Sequence, residues 1–312
     1  MVIVDTHCDT ILRSMETGES LFKNGCHIDL ERMKRYEGFV QFFAAFVSPS
    51  YCQAYAMKRA VQIIDKFYQQ LDQYSDNMML CCNYRQIEDA LQSSKIAAVL
   101  SIEGGEALQG DLSALRMFYR LGVRSLCLTW NHRNEIADGV EDGISGGGLT
   151  PFGKDVIREM NRLGMIIDVS HLSEKGFWDV MELSEKPIIA SHSNSKKVCS
   201  HKRNLTDEQI MALKDKGGVM GINLYSAFLT DDGNASLNDI IRHIEHIAEI
   251  AGTDCIGLGA DFDGIDKTPE DVRGVEDLYK IFNELLRLNY PQHTVDMIAG
   301  GNFLRVIKEV LI

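Results

Sequence analysis

Met1-Val2-Ile3-Val4-Asp5-Thr6-His7-Cys8-Asp9 opens the chain, a short apolar run that closes on His-x-Asp. Strand side chains alternate with period 2, so His7 and Asp9 fall on one side of the strand end and Cys8 on the other. An imidazole and a carboxylate side by side are donor types suited to a divalent cation, held by the stiffest part of a fold. Cys8, facing away, is expected to pack in the wall. An ordinary polar strand end looks the same, so the reading depends on how the other strands end.

Further apolar runs lie at 40–47, 97–102, 125–129, 165–169, 187–190, 218–223 and 255–259. Amphipathic stretches at 55–71, 112–121, 151–163, 174–183, 206–216 and 237–250 separate many of them. Thr150 before Pro151, Ser173 before Glu174 and Thr206 before an acidic pair mark helix starts. Alternation of this kind predicts parallel strands with crossovers, as a closed (β/α)8 barrel or an open doubly wound sheet. Most runs end in polar residues: His7 and Asp9, Glu103, Trp130 to His132, His171, His192, Asn223 to Tyr225, and Asp261 with Asp263. A barrel brings all such ends to one mouth, whereas an open sheet strings them along an edge. The expectation is an α/β fold, a single (β/α)8 TIM barrel over residues 1–312, with the tail after Asp263 sealing the outer helical ring.

Composition narrows the function class. The 312 residues are 45% hydrophobic and 25% charged, as in soluble globular proteins. A net charge of -13 argues against a nucleic-acid partner, which needs a basic patch. Eight cysteines without a C-x-x-C read as reduced, buried residues. No apolar stretch reaches membrane-spanning length and the first strand starts at once, so a cytoplasmic chain without membrane contact is expected. The Gly-rich stretch 143–148 lacks the Lys-Ser/Thr of a phosphate loop and reads as a βα loop.

The chemistry-bearing groups share a form. Asp168-Val169-Ser170-His171 and Ala190-Ser191-His192 each place Ser-His just past an apolar run. Two neutral imidazoles on consecutive strands can face one cation. Glu103, followed by Gly104-Gly105, puts a carboxylate where it can bridge two cations, while Glu106 reads better as a helix-start charge. Of the two late carboxylates Asp261 is nearer its strand, and the chain is expected to turn at Asp263-Gly264. Arg203 lies on the loop after 187–190, where a surface cation is the plain alternative.

Taken in order, His7-x-Asp9, Glu103-Gly104-Gly105, Asp168-x-Ser170-His171, Ser191-His192-Ser193 with Arg203-Asn204, and Gly259-Ala260-Asp261-Phe262-Asp263-Gly264 resemble the renal (membrane) dipeptidase family of zinc metallopeptidases. The resemblance runs over essentially the whole chain, including Leu149-Thr150-Pro151-Phe152-Gly153 and Asn161-Arg162-Leu163-Gly164. It implies a bacterial-type soluble barrel enzyme with two divalent metal ions, zinc above all, a dipeptide substrate and a homodimer. It implies that His7 and Asp9 hold one metal, His171 and His192 the other, and Glu103 bridges them. Asp261 would be the acid/base carboxylate and Arg203 the anchor for the substrate carboxylate. Family members usually carry Leu-Thr-His after the fourth strand; this chain reads Leu128-Thr129-Trp130-Asn131-His132, which shifts the histidine by two residues. His132 is the candidate to stabilise the oxyanion, with Trp130 as the alternative shaper of that space.

The activity expected is metal-dependent hydrolysis of dipeptides. One alternative is another amidohydrolase-type barrel acting on cyclic amides or esters, but that branch uses His-x-His and a carboxylated lysine after the fourth strand. Here Glu103 takes the bridging place and no lysine lies near Thr129. The other alternative is a non-catalytic ligand-binding barrel, in which erosion of the ligand set would be expected.

Overall fold

The computed structural model describes residues 1–51 and 54–311. Its strands are β1 (Val2–Cys8), β2 (Gly38–Phe46), β3 (Met78–Leu80), β4 (Ile96–Glu103), β5 (Val123–Cys127), β6 (Ile166–Asp168), β7 (Ile189–Ala190), β8 (Val219–Ile222) and β9 (Ile256–Leu258). All pairings between them are parallel, in the order β2-β1-β9-β8-β7-β6-β5-β4, and β2 pairs β4 to close the ring. This is the expected eight-stranded (β/α)8 barrel. β3, which the sequence pattern did not reveal, is a ninth strand outside the ring. It pairs with the first half of β4, through Ile96 to Ala98, and leaves the second half to β5.

The six amphipathic stretches are helical as expected, while Thr10–Thr17 and Tyr84–Gln92 are helices that the pattern did not reveal. Pro151–Leu163 starts on Thr150, whose hydroxyl accepts the Gly153 N–H, and stops at Gly164 in the left-handed conformation. Asp207–Asp215 starts with a capping box between Thr206 and Gln209. Among the described residues no helix is long and apolar enough to cross a membrane.

The tail departs from expectation. Asn302–Val310 contributes Phe303, Val306, Ile307 and Val310 to one cluster with Val4, Val40, Val99, Ile166, Ile189 and Val219. Side chains from strands all round a ring meet only in its interior. Arg305 donates to the carbonyls of Gly217 and Asp254, just ahead of β8 and β9, at 2.6 and 2.9 Å. This helix therefore plugs the N-terminal end of the barrel instead of completing the outer ring. The polar strand ends are left to converge at the opposite end.

Cysteines follow the expectation in part. Cys8, Cys81, Cys127, Cys199 and Cys255 are buried, Cys26 and Cys82 only half-buried, and all seven are free; Cys52 lies outside the described residues.

Candidate active site

His7 sits in a register shift of β1 between Asp5 and Cys8, the kind of irregularity that re-aims side chains beside a site. Asp9 lies one residue beyond the strand as N-cap of Thr10–Thr17, and its carboxylate makes no capping bond. It turns to His7 instead, Oδ2 to Nε2 at 3.4 Å. Cys8 is fully buried in the main apolar cluster, as its opposite alternation requires.

Glu103 stands at the centre of the mouth. One carboxylate oxygen lies 3.5 Å from His7 Nε2; the other lies 2.9 Å from His171 Nε2 and 3.4 Å from His192 Nε2. The chain can turn there because Gly104, at φ +103°, adopts a conformation side chains disfavour. Glu106 is buried but occupied, accepting from Asn134 Nδ2 at 2.9 Å. It opens a short 3-10 turn, Gly105–Leu108, in keeping with its reading as a helix-start charge.

Hydrogen bonds decide the tautomers. His171 Nδ1 lies 2.7 Å from Asn131 Oδ1, which can only accept, so that nitrogen carries the proton. Ser191 gives its hydroxyl proton to Asp168 and takes the Nδ1–H of His192 at 2.7 Å. Both Nε2 atoms are then bare acceptors, yet they face each other at 2.8 Å with a Glu103 oxygen beside them. His7 Nε2 and Asp9 Oδ1 are buried without a hydrogen-bond partner. Such crowding of acceptors is costly unless a cation lies among them. His7–Asp9–Glu103 and Glu103–His171–His192 each bring three donor atoms within 4.8 Å of one another. The donor set, imidazole nitrogen and carboxylate oxygen, fits a divalent transition metal.

The charges respond to this packing. Burial opposes ionisation of Glu103, but the imidazoles packed round its carboxylate, His7 foremost, hold its carboxyl well below the usual range. Burial pulls His171 down to about 4 and His192 well below its ordinary value, which keeps both rings neutral. Burial pushes Asp9 up to about 6 and Asp261 up to about 7.

Asp261 arrives by a longer route than the sequence indicates. β9 ends at Leu258, and the chain continues beside β1 with Asp261 N–H donating to His7 O at 3.2 Å. Its φ is +61°, and that of His171 is +66°; left-handed side-chain-bearing residues of this kind gather at functional sites. Asp261 Oδ2 accepts from Asn223 Nδ2 at 2.9 Å, while Oδ1 lies 3.9 Å from His7 Nε2. Asp263 is spent on the loop, accepting from Thr10 Oγ1 at 2.6 Å and the His27 N–H at 2.7 Å. Gly264 has to be small here, since a Cβ would come within 2.3 Å of Asp9 and 2.6 Å of Asp261.

Arg203 is not a surface cation. It is 5% exposed, donates to His192 O at 3.1 Å and Ser193 Oγ at 3.4 Å, and keeps an unpartnered Nε. It lines a cavity of about 480 Å³ together with Asp9, Glu103, His171, Asp261 and Trp130. His132 does not join them. The chain turns its ring outward to an exposed position, where it lines a separate pocket with Trp130 and Arg133. Trp130 and Asn131 line the Arg203 cavity in its place. The sequence marks Asn131 and Asn223 only as polar strand ends, and their work at His171 and Asp261 appears only once the strands close.

The model of the membrane dipeptidase family (peptidase family M19) matches residues 1–311. An uncharacterized dipeptidase of Schizosaccharomyces pombe is 33% identical over 98% of this chain and 80% of its own. Among solved structures, dipeptidase AC, a metallopeptidase of family M19, superposes with a TM-score of 0.93 at 28% identity, covering 100% of this chain and 99% of that one. A metallopeptidase from Rhodobacter sphaeroides, liganded with a phosphinate mimic of the dipeptide L-Ala-D-Ala, gives 0.93 at 27% identity over 99% of both chains. With the barrel and its buried donor set, these likenesses show that the chain belongs to the membrane dipeptidase family and is a metal-dependent dipeptidase.

Proposed function

We propose that this protein hydrolyses the peptide bond of free dipeptides at a centre of two divalent cations, zinc being the expected pair. His7 and Asp9 would hold one cation, His171 and His192 the other, with Glu103 between them. The observation that carries this reading is the split carboxylate of Glu103, one oxygen turned to His7 and the other to the two remaining histidines. A bound pair of this type lowers the pKa of a water and polarises a carbonyl.

The protein's own groups supply the rest. Asp261, steadied by Asn223, would take the proton of the attacking water and return it to the departing amine. Arg203, a planar fork with an unpartnered Nε, suits a free carboxylate and would limit substrates to very short peptides. The cavity volume is within the range of small-molecule sites. Free cysteines fit a reducing compartment, and we place the protein in the cytoplasm.

Asp261→Asn is expected to lower kcat by about 100-fold or more while bound metal is unchanged. Near-normal turnover by the metal-loaded variant would remove Asp261 from its role. A chelator should abolish hydrolysis of an L,L and L,D dipeptide panel, and zinc should restore it.

A further inference from the structure

The walls of the cavity differ in chemistry from one side to the other. Around the ring β1, β2, β4, β5, β6, β7, β8, β9, the strand four places from β7 is β2, so the two lie on opposite sides. Arg203 follows β7, with Phe228 beneath its guanidinium at 5.5 Å from the ring centre. Opposite it, β2 ends on Phe46, in register with Glu103. Next to β4, the loop after β5 brings Trp130. Phe46 and Trp130 pack with ring centres 5.5 Å apart, and Trp130 lies 6.0 Å from the His171 ring. Both rings are half-buried and both line the cavity that Arg203 and Glu103 share.

We propose that Phe46 and Trp130 form the specificity wall for the residue on the amino side of the scissile bond, so that dipeptides beginning with a large apolar residue are preferred. The inference rests on the two-metal dipeptidase reading. With the free carboxylate on Arg203 and the scissile carbonyl at the Glu103 cluster, what is left of the substrate runs away from β7, towards β2 and β5. Two aromatic faces there give an apolar side chain area to bury and give a charged one no partner. Apart from Glu103, which belongs to the cation cluster, the charged lining groups lie elsewhere. Arg13 and Glu16, on the helix after β1, are 3.6 Å apart and offset each other, and Asp266 bonds Tyr225 on the β8–β9 side. A substrate that ran to that rim instead would favour a basic first residue.

The test uses the zinc-loaded full chain and the dipeptides Phe-Ala, Leu-Ala, Gly-Ala, Lys-Ala and Asp-Ala. Phe-Ala and Leu-Ala should exceed Gly-Ala in kcat/KM by about tenfold or more. Trp130→Ala and Phe46→Ala should each cut the Phe-Ala to Gly-Ala ratio by about tenfold, and Trp130→Phe should keep most of it. A second readout needs no turnover. The chain has two tryptophans, Trp130 and Trp178, so in a Trp178→Phe, Asp261→Asn background the emission reports Trp130 alone. Phe-Ala should shift that emission to the blue more than Gly-Ala does. A lead for Lys-Ala or Asp-Ala, or an unchanged ratio in both alanine variants, would overturn the proposal and leave the dipeptidase reading intact. Absence of hydrolysis of every dipeptide by the wild-type chain would overturn both.

Discussion

β6 and β7 lead into the same pair of residues, Ser170-His171 and Ser191-His192, and the fold supports the two imidazoles by different means. Ser191 serves its own neighbour, passing its proton to Asp168 and holding His192 Nδ1. Ser170 serves the adjacent strand, accepting the backbone N–H of His192 at 3.1 Å. His171, turned by its positive φ, depends on Asn131 from the loop after β5. One imidazole is therefore oriented within its own strand end and the other across a strand boundary. Identical local sequence does not imply identical support, because a side chain's partner is set by whichever neighbour the closed barrel brings beside it.

The comparison can be broken at each support, and the largest effect is expected at Ser191. Ser191→Ala should weaken metal binding about 10- to 100-fold, since the group fixing the His192 tautomer is gone. It should also cost about 1–3 kcal/mol of stability, because a buried Asp168 oxygen loses its donor. Metal titration and thermal melts separate the two, and wild-type affinity in this variant would show that the serine orients nothing. Asn131→Ala should weaken metal binding about tenfold through His171. Asn131 is half-exposed, so its loss should leave the melting temperature nearly unchanged. Ser170→Ala should cost about 1 kcal/mol with metal affinity retained, because it touches backbone and not imidazole. His132→Ala should be the mildest, within about 0.5 kcal/mol in stability and close to wild type in kcat/KM. A large loss of turnover there would return His132 to the site.

Legibility in the sequence follows the range of the forces involved. The barrel was readable because each ring strand is an apolar run and most of these runs end in a polar group that has to go to the mouth. β3 was hidden because three residues, Met78–Leu80, carry too little periodicity to stand out. The five ligand candidates were readable as residue types at strand ends. Their supports were not. Asn131 and Asn223 are ordinary loop amides until the closed ring places them against His171 and Asp261. Distance from the strand was the ground for choosing Asp261 over Asp263; the structure shows a contact that spacing does not reveal, Asp263 being consumed by Thr10 and His27. His132 misled because spacing along a loop says nothing about which way the loop turns.

The central claim is that Glu103 joins two cation sites. Elemental analysis of zinc bound per chain, after loading and removal of excess metal, tests it most directly in the wild type and in Glu103→Ala. Two equivalents in the wild type, with a clear loss in Glu103→Ala, are predicted. A single equivalent in the wild type, or two retained in the variant, would contradict the account.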